Sequence, residues 1–221
     1  MVGRRQQLVK LKKRCWVTKM YYHQIEVKGH SDNLSYLFVD KKARECLLID
    51  PTGELRLIEE TVSENNYIPK GIVTTHGHKD HIEGNDYFRQ KYDVPIYAHR
   101  LATHKVDHYV DTGNNIEVGS LKLAVEHTPG HSPDHICLYS GEALFTGDLL
   151  FATGSTGRFD LEGSNFLQLC ESIKSLVAFP EDTHILPGHN YGGYTAELGQ
   201  ILPLAITGLM SCIADVLGRD K

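Results

Sequence analysis

Residues 74–84 read TTHGHKDHIEG, so three histidines and an aspartate (His76, His78, Asp80 and His81) fall within six positions. A packed core gains nothing from so many ionisable groups, because each unpaired one resists transfer out of water. A solvated loop has no use for imidazoles at such close intervals. Imidazole nitrogens and carboxylate oxygens are ligands for zinc, and also for iron or manganese. His76 and His78, two apart on an extended turn, can face one ion. Asp80 and His81, on the first turn of a following helix, can face a second. These four complete a two-metal site only with partners from elsewhere in the chain.

Outward from that stretch, the pattern is short apolar strands separated by turn residues. Upstream, YYHQIEV, NLSYLFV and ECLLID read as three successive strands. GELRLIEETVSENN follows Pro51 and spaces Leu55, Ile58 and Val62 for a helix. KGIVTT is a short apolar strand that ends where the histidines begin. Downstream, Asp80 is placed to cap a helix from about His81 to Lys91, and PIYAH is a further small strand. The second half repeats this grammar. NIEVGSLKLAVEHT makes two strands around Val118-Gly119-Ser120, and HICLYSGEALFTGD makes a hairpin. A helix carries Phe166, Leu169, Ile173 and Leu176, DTHILPGH is a strand ending in a turn, and an apolar helix follows Tyr194. Strands first and helices later in each half predict sheets packed on each other with helices outside, a layered α/β fold.

The missing partners lie in the same kind of place as the first four. His131, Asp148 and His189, like His76, each sit just past a strand-like segment in a glycine-containing loop. Ligands at separate strand ends can converge on one rim of a sheet. Two ions roughly 3.5–4 Å apart need a bridging carboxylate to screen their repulsion, and Asp148 in LFTGD suits that position.

The series THGHKDH (His76, His78, Asp80, His81), HTPGHSPDH (His131), LFTGD (Asp148) and ILPGH (His189) resembles, in order and spacing, the metal motifs of the metallo-β-lactamase-fold superfamily. The resemblance runs from Met20 to about Gly193. It implies a four-layered αββα sandwich with a dinuclear site on one edge. By the same resemblance His76, His78 and His131 would hold one ion, Asp80, His81 and His189 the other, and Asp148 would bridge. It implies two divalent ions, zinc expected and iron or manganese possible, that generate a hydroxide able to attack a carbonyl, with Asp80 and Asp148 as the catalytic carboxylates. His135, close to the motif histidines, is a candidate to orient a ligand by hydrogen bonding.

Finer resemblances narrow the chemistry. β-Lactamases of this fold usually carry Cys or Ser where this chain has Asp148. FATGSTGRFDLEGSN is similar to the glyoxalase II group, the hydroxyacylglutathione hydrolases, in which a glycine-rich loop presents a basic residue and then a tyrosine to glutathione. Arg158 falls on the basic position and Asp160 stands where the tyrosine would be. Arg158 and Tyr191 are the expected substrate contacts, and a thiolester such as an S-acylglutathione, or a related small ester, is the expected substrate. Only 32 residues follow His189, where typical glyoxalase II proteins have a sizeable helical domain, so the chain more closely resembles compact glyoxalase-II-like hydrolases. Persulfide dioxygenases form the alternative. They resemble glyoxalase II but bind one iron, which here would fall to His76 or His78 with His131 and Asp148. GRFD fits their Gly-Arg-x-Asp segment, although Thr156 stands where they generally have cysteine.

Composition sets the outer limits. A 221-residue chain with 41 % apolar residues supports a proper core, and a net charge of −5 gives no broad attraction for nucleic acid. No apolar run approaches the ~20 residues of a membrane span. Five scattered cysteines without a C-x-x-C pair point to a reducing, cytoplasmic setting. The domain reading is a basic, acid-free extension over 1–19 and one domain over 20–221. The expected partner is a small-molecule substrate, and the last apolar helix offers either packing on the sheet or a homodimer contact. His99, His104, His108, His127 and His184 have no motif setting, and most of them are expected at the surface or behind the ligands.

Overall fold

The computed structural model describes residues 21–29 and 31–218; the basic extension and Cys15 lie outside the described residues. The first sheet holds β1 (Tyr21–Glu26), β2 (Leu34–Asp40), β3 (Glu45–Ile49), β4 (Ile68–Val73), β5 (Ile96–His99) and β6 (His108–Val110), in that order across the sheet. The second holds β7 (Asn115–Val118), β8 (Leu121–His127), β9 (Ile136–Ser140), β10 (Ala143–Gly147), β11 (His184–Pro187) and β12 (Ala196–Glu197), also neighbours in chain order. Five helices are described: α1 (Leu55–Glu64), α2 (Lys79–Ile82), α3 (Asn85–Tyr92), α4 (Phe166–Ser175) and α5 (Leu198–Gly218).

The period-two alternation of the strands builds the layers. In β2, Leu34, Tyr36 and Phe38 face the second sheet, where they meet Leu123, Val125, Ile136, Leu138 and Phe145. Leu37 and Val39, on the other face of the strand, pack with Ile58 and Val62 of α1 and Phe88 of α3. Every residue of β2 is therefore buried, as expected of a strand covered on both faces. On the far side Cys137, Leu144 and Ile185 turn outward to Leu169 and Ile173 of α4 and Ile201 of α5. Helix, sheet, sheet and helix make the αββα sandwich.

Strand direction decides where the motifs meet. β3, β4, β5 and β6 run parallel, so Asp50 and the 74–81 loop leave the first sheet at the same rim. β8 and β10 are both antiparallel to β9, and β10 is parallel to β11. The loops carrying His131, Asp148 and His189 therefore also leave at one rim. The two rims are joined where Leu34 N donates to Gly188 O (2.8 Å) and Ile136 N to Thr75 O (2.8 Å).

The helix expected over 81–91 is two helices, α2 and α3, separated at Gly84. The loop after β3 comes so close there that a Cβ on Gly84 would sit 2.5 Å from the Pro51 carbonyl oxygen. Asp80 is not a cap: α2 has no side-chain cap, and Asp80 lies in its first turn with its carboxylate toward His189. The short edge strands β6 and β12 are additions to the sequence reading. The final helix packs Leu198, Ile201, Leu202, Ala205 and Leu209 onto the second sheet. Among the described residues no helix is long and apolar enough to cross a membrane.

Candidate metal centre

Two triads of ligand atoms face each other at the joined rim. In the first, His78 Nδ1 lies 3.0 Å from His76 Nε2 and 2.9 Å from His131 Nε2. In the second, His81 Nε2 lies 3.2 Å from His189 Nε2, and Asp80 Oδ2 lies 3.6 Å from His189 Nε2 and 3.9 Å from His81 Nε2. A tetrahedral ion with bonds of 2.0–2.1 Å has ligand-to-ligand edges of about 3.3 Å, so these separations suit chelation. Asp148 stands between the triads. Its Oδ2 is 3.5 Å from His131 Nε2 and 3.2 Å from His189 Nε2, while Oδ1 is 3.4 Å from His81 Nε2. All seven predicted ligands are thus brought together.

The donor set fits divalent ions in a second way. On four of the five histidines the far ring nitrogen is already engaged. His131 Nδ1 donates to Arg158 O (2.8 Å) and His189 Nδ1 to Ser31 O (2.7 Å). His81 Nδ1 pairs with Asp50 Oδ2 (3.1 Å), and His76 Nδ1 with Thr75 Oγ1 (3.1 Å). Each of these bonds leaves the other nitrogen's lone pair directed at the centre, as metal-binding histidines require. Asp148 Oδ1 is buried without a hydrogen-bond partner, an arrangement that is costly unless a cation meets it.

Electrostatics agree. Burial works against a charge on Asp148, but His81, His189 and His131 outweigh it and hold the carboxyl well below its ordinary range. Burial and the neighbouring imidazoles hold His76 well below the usual histidine value, that is, neutral. His81 goes the other way: burial opposes its charge, yet Asp148, Asp50 and Asp80 raise it to about 9. Without metal, His81 carries the proton that balances the surrounding carboxylates, and an incoming cation displaces it.

Glycines admit these contacts. A Cβ on Gly188 would lie 2.5 Å from Asp148 Oδ1 and 2.7 Å from the His81 ring. Gly147, at φ +46°, brings the chain within a similar distance of Thr75 and His135 before it turns into Asp148.

Several supporting residues were not legible in the motifs. Asp50, just past β3, accepts from Thr75 N (2.7 Å) and Thr75 Oγ1 (2.5 Å) besides holding His81. It obeys the same strand-end rule that picked out His131 and Asp148. Asn33 donates to both Asp80 O (3.0 Å) and Asp80 Oδ2 (3.2 Å). His135 sits where it can orient a ligand: its Nε2 accepts from Asp148 N (3.2 Å), and its Nδ1 pairs with Thr128 Oγ1 (2.9 Å). Burial lowers its pKa to about 3, so it remains the neutral acceptor this bond needs.

A cavity of about 410 Å³ opens over the triads and includes Phe151, Arg158 and Tyr191 in its wall. The Tyr191 ring stacks on His189 at 4.8 Å. The Arg158 guanidinium makes two 2.9 Å hydrogen bonds to Asp160, both side chains being exposed. Among the remaining histidines, His184 and His108 are exposed and His104 is half-buried. His99 is buried and stacked on His127 at 3.8 Å, with Asp111 Oδ1 3.6 Å away. These rings lie within 11° of parallel, and with Asp111 they bring a further set of ligand atoms within 4.8 Å of one another.

Residues 30–204 match the family model described as the Metallo-beta-lactamase superfamily. The chain belongs to that superfamily. It is 33 % identical to a probable metallo-hydrolase, YqgX, of Bacillus subtilis, over 77 % of this chain and 90 % of the relative. It is 34 % identical to a hydroxyacylglutathione hydrolase of an Enterobacter species, over 76 % of this chain but 65 % of that protein. The solved structure of ETHE1 from Myxococcus xanthus superposes with a TM-score of 0.77 at 28 % identity, covering 85 % of each chain. With a His/Asp centre suited to two ions, this superfamily member is a metal-dependent hydrolase.

Proposed function

We propose that the protein hydrolyses small thiolesters, such as an S-acylglutathione, or a related small ester, using two divalent ions, zinc being the expected metal. The observation that carries this reading is the completeness of the second triad, Asp80, His81 and His189, with Asp148 between it and the first. A single-iron centre needs only one triad, and would leave the other, a second set of ligand atoms within 4.8 Å of one another, without an ion. When bound, two such cations polarise an acyl carbonyl and bring the pKa of a bound water toward neutrality.

The chain's own residues supply the rest. His76, His78 and His131 would hold one ion, Asp80, His81 and His189 the other, with Asp148 shared. Hydrolysis joins water's oxygen to the acyl carbon, breaks the carbon–sulfur bond and delivers a proton to the departing thiolate. Asp80 is the more open carboxylate, with 30 % of its side chain accessible against 10 % for Asp148, so it is the one placed to pass that proton. Lys79 and Arg158 line the cavity and are the cations able to meet an anionic substrate such as a glutathione conjugate. The Arg158–Asp160 pair is exposed and screened by solvent, so Arg158 can exchange Asp160 for a substrate carboxylate at little cost. Phe151 and Tyr191 give the thiol portion an apolar wall. The likeness to hydroxyacylglutathione hydrolases supports the thiolester, and the free thiols of Cys46, Cys137, Cys170 and Cys212 support a cytoplasmic setting.

The test is metal content per chain after expression with zinc, iron and manganese all supplied, followed by assays on S-acylglutathiones. About two ions per chain with thiolester hydrolysis is the expected result. About one iron, with oxygen consumption on glutathione persulfide and no hydrolysis, would overturn the reading in favour of the dioxygenase.

A further inference from the structure

Apart from Asp50, which reaches both, the two triads rest on different supports. Among the described residues, the first triad is held by Thr75, which bonds the His76 ring and is itself fixed by Asp50, and by the Arg158 carbonyl behind His131. In the second triad only His81 leans on Asp50. The other two ligands hang from two residues of the β1–β2 loop: Ser31 O receives the His189 ring, and Asn33 holds Asp80 at both its carbonyl and its carboxylate.

That loop is tied to the last ligand on both sides. Asn33 and His189 form an isolated antiparallel bridge, Leu34 N donates to Gly188 O (2.8 Å), and Asn190 N donates to Asp32 O (2.9 Å). Asn33 is buried, and its Oδ1 accepts from Ser31 N (3.4 Å), which fixes which end of the amide faces Asp80. Gly29 leaves the room for this: a Cβ there would lie 2.5 Å from Asn33 Oδ1. Asp80, in contrast, is the most open carboxylate of the centre, and an aspartate free to rotate would have to be ordered at the moment of binding.

We propose that Asn33 is a positioning residue for the second metal position alone, so that the β1–β2 loop sets whether this centre carries one ion or two. The inference rests on the two-metal reading above and adds which element decides the occupancy. Asn33 does not line the cavity over the triads; it acts by pre-orienting Asp80 and by joining its segment to that of His189. Hydrogen-bond partners behind metal ligands typically contribute about 10- to 100-fold in affinity, and here that contribution falls on one site.

The experiment titrates metal-free wild type, Asn33→Ala and Asn33→Asp with zinc against a chromophoric chelator, and resolves the two stepwise affinities. Asn33→Asp keeps the size but aims a carboxylate at Asp80, so it serves should the smaller side chain fail to fold. The expected result is an unchanged first affinity and a second affinity weakened about 10- to 100-fold, with the larger loss in Asn33→Asp. Unchanged binding of both ions would overturn the inference, as would equal weakening of both, since a merely structural role would loosen the two sites together. If wild type itself stops at one ion, the two-metal reading fails and takes the inference with it. If wild type takes two and both variants do so with native affinities, the inference fails alone.

Discussion

Two buried aspartates, ten positions apart, sit at opposite ends of the same pair of strands and do different work. Asp40 closes β2 at the end away from the triads. Its Oδ1 accepts from Lys42 N (2.8 Å) and Ala43 N (3.1 Å), and its Oδ2 from Ser120 N and Ser120 Oγ (both 2.7 Å). It thereby fixes the β2–β3 turn and ties it to the β7–β8 turn of the other sheet. Asp50 follows β3 at the metal rim, in the left-handed region at φ +47°, a conformation aspartate tolerates better than most residues. It spends its acceptors on Thr75 and on a ligand histidine. Both are equally buried. Burial therefore does not separate a functional carboxylate from a structural one; the identity of the donors does.

The comparison breaks most visibly at the centre itself. Asp148→Ala removes the carboxylate both triads share, and should abolish binding of at least one ion and lower hydrolysis by at least about 100-fold. Elemental analysis and kinetics check this, and full metal content with full activity would refute the assignment. Asp50→Asn is the next largest. Aspartate accepts three donors at this point, whereas an asparagine has one oxygen, so at least one of Thr75 and His81 loses its partner. Metal affinity should fall about 10- to 100-fold, while Asp40→Asn should leave zinc titrations unchanged. Equal effects of the two variants on zinc binding would show that the ends of the sheet are not functionally distinct.

The residues that form the two triads were legible because coordination chemistry restricts such groups to few types at strand ends. Those that hold them were less so. Thr75, Asn33 and Ser31 act through a hydroxyl, an amide and a main-chain carbonyl, groups that any loop offers, and nothing in SDNLS announces that its asparagine reaches Asp80. Asp50 was within reach, since ECLLID was already a strand with an acid at its end. The layers followed from strand periodicity, but the break at Gly84 did not, because it depends on Pro51 arriving from another part of the chain. The burial of His99 was not legible for a related reason: it stacks on His127, a residue of the opposite sheet.

The smallest effect tests the structural half of the comparison. Backbone donation from Ser120, with further help from Ser120 Oγ, Ala43 N and Lys42 N, depresses the Asp40 pKa to about 2. Between that value and the unfolded-state value near 3.8 the unfolded chain binds the extra proton, so stability contributed by Asp40 rises with pH across this window. It is fully present above about pH 4 and is lost as pH falls through about 2. Screening at this edge limits it to about 1–2 kcal/mol. Asparagine cannot titrate and can accept on one side only, so metal-free Asp40→Asn should be about 1–2 kcal/mol less stable than metal-free wild type at neutral pH. Denaturant unfolding at a series of pH values reads the difference. It should shrink steadily between pH 4 and pH 2, because wild type then loses the charge the variant never had. A difference that stayed constant through that range would mean that Asp40 holds the two turns by shape and not by its charge, and that the two aspartates differ less than their donors suggest.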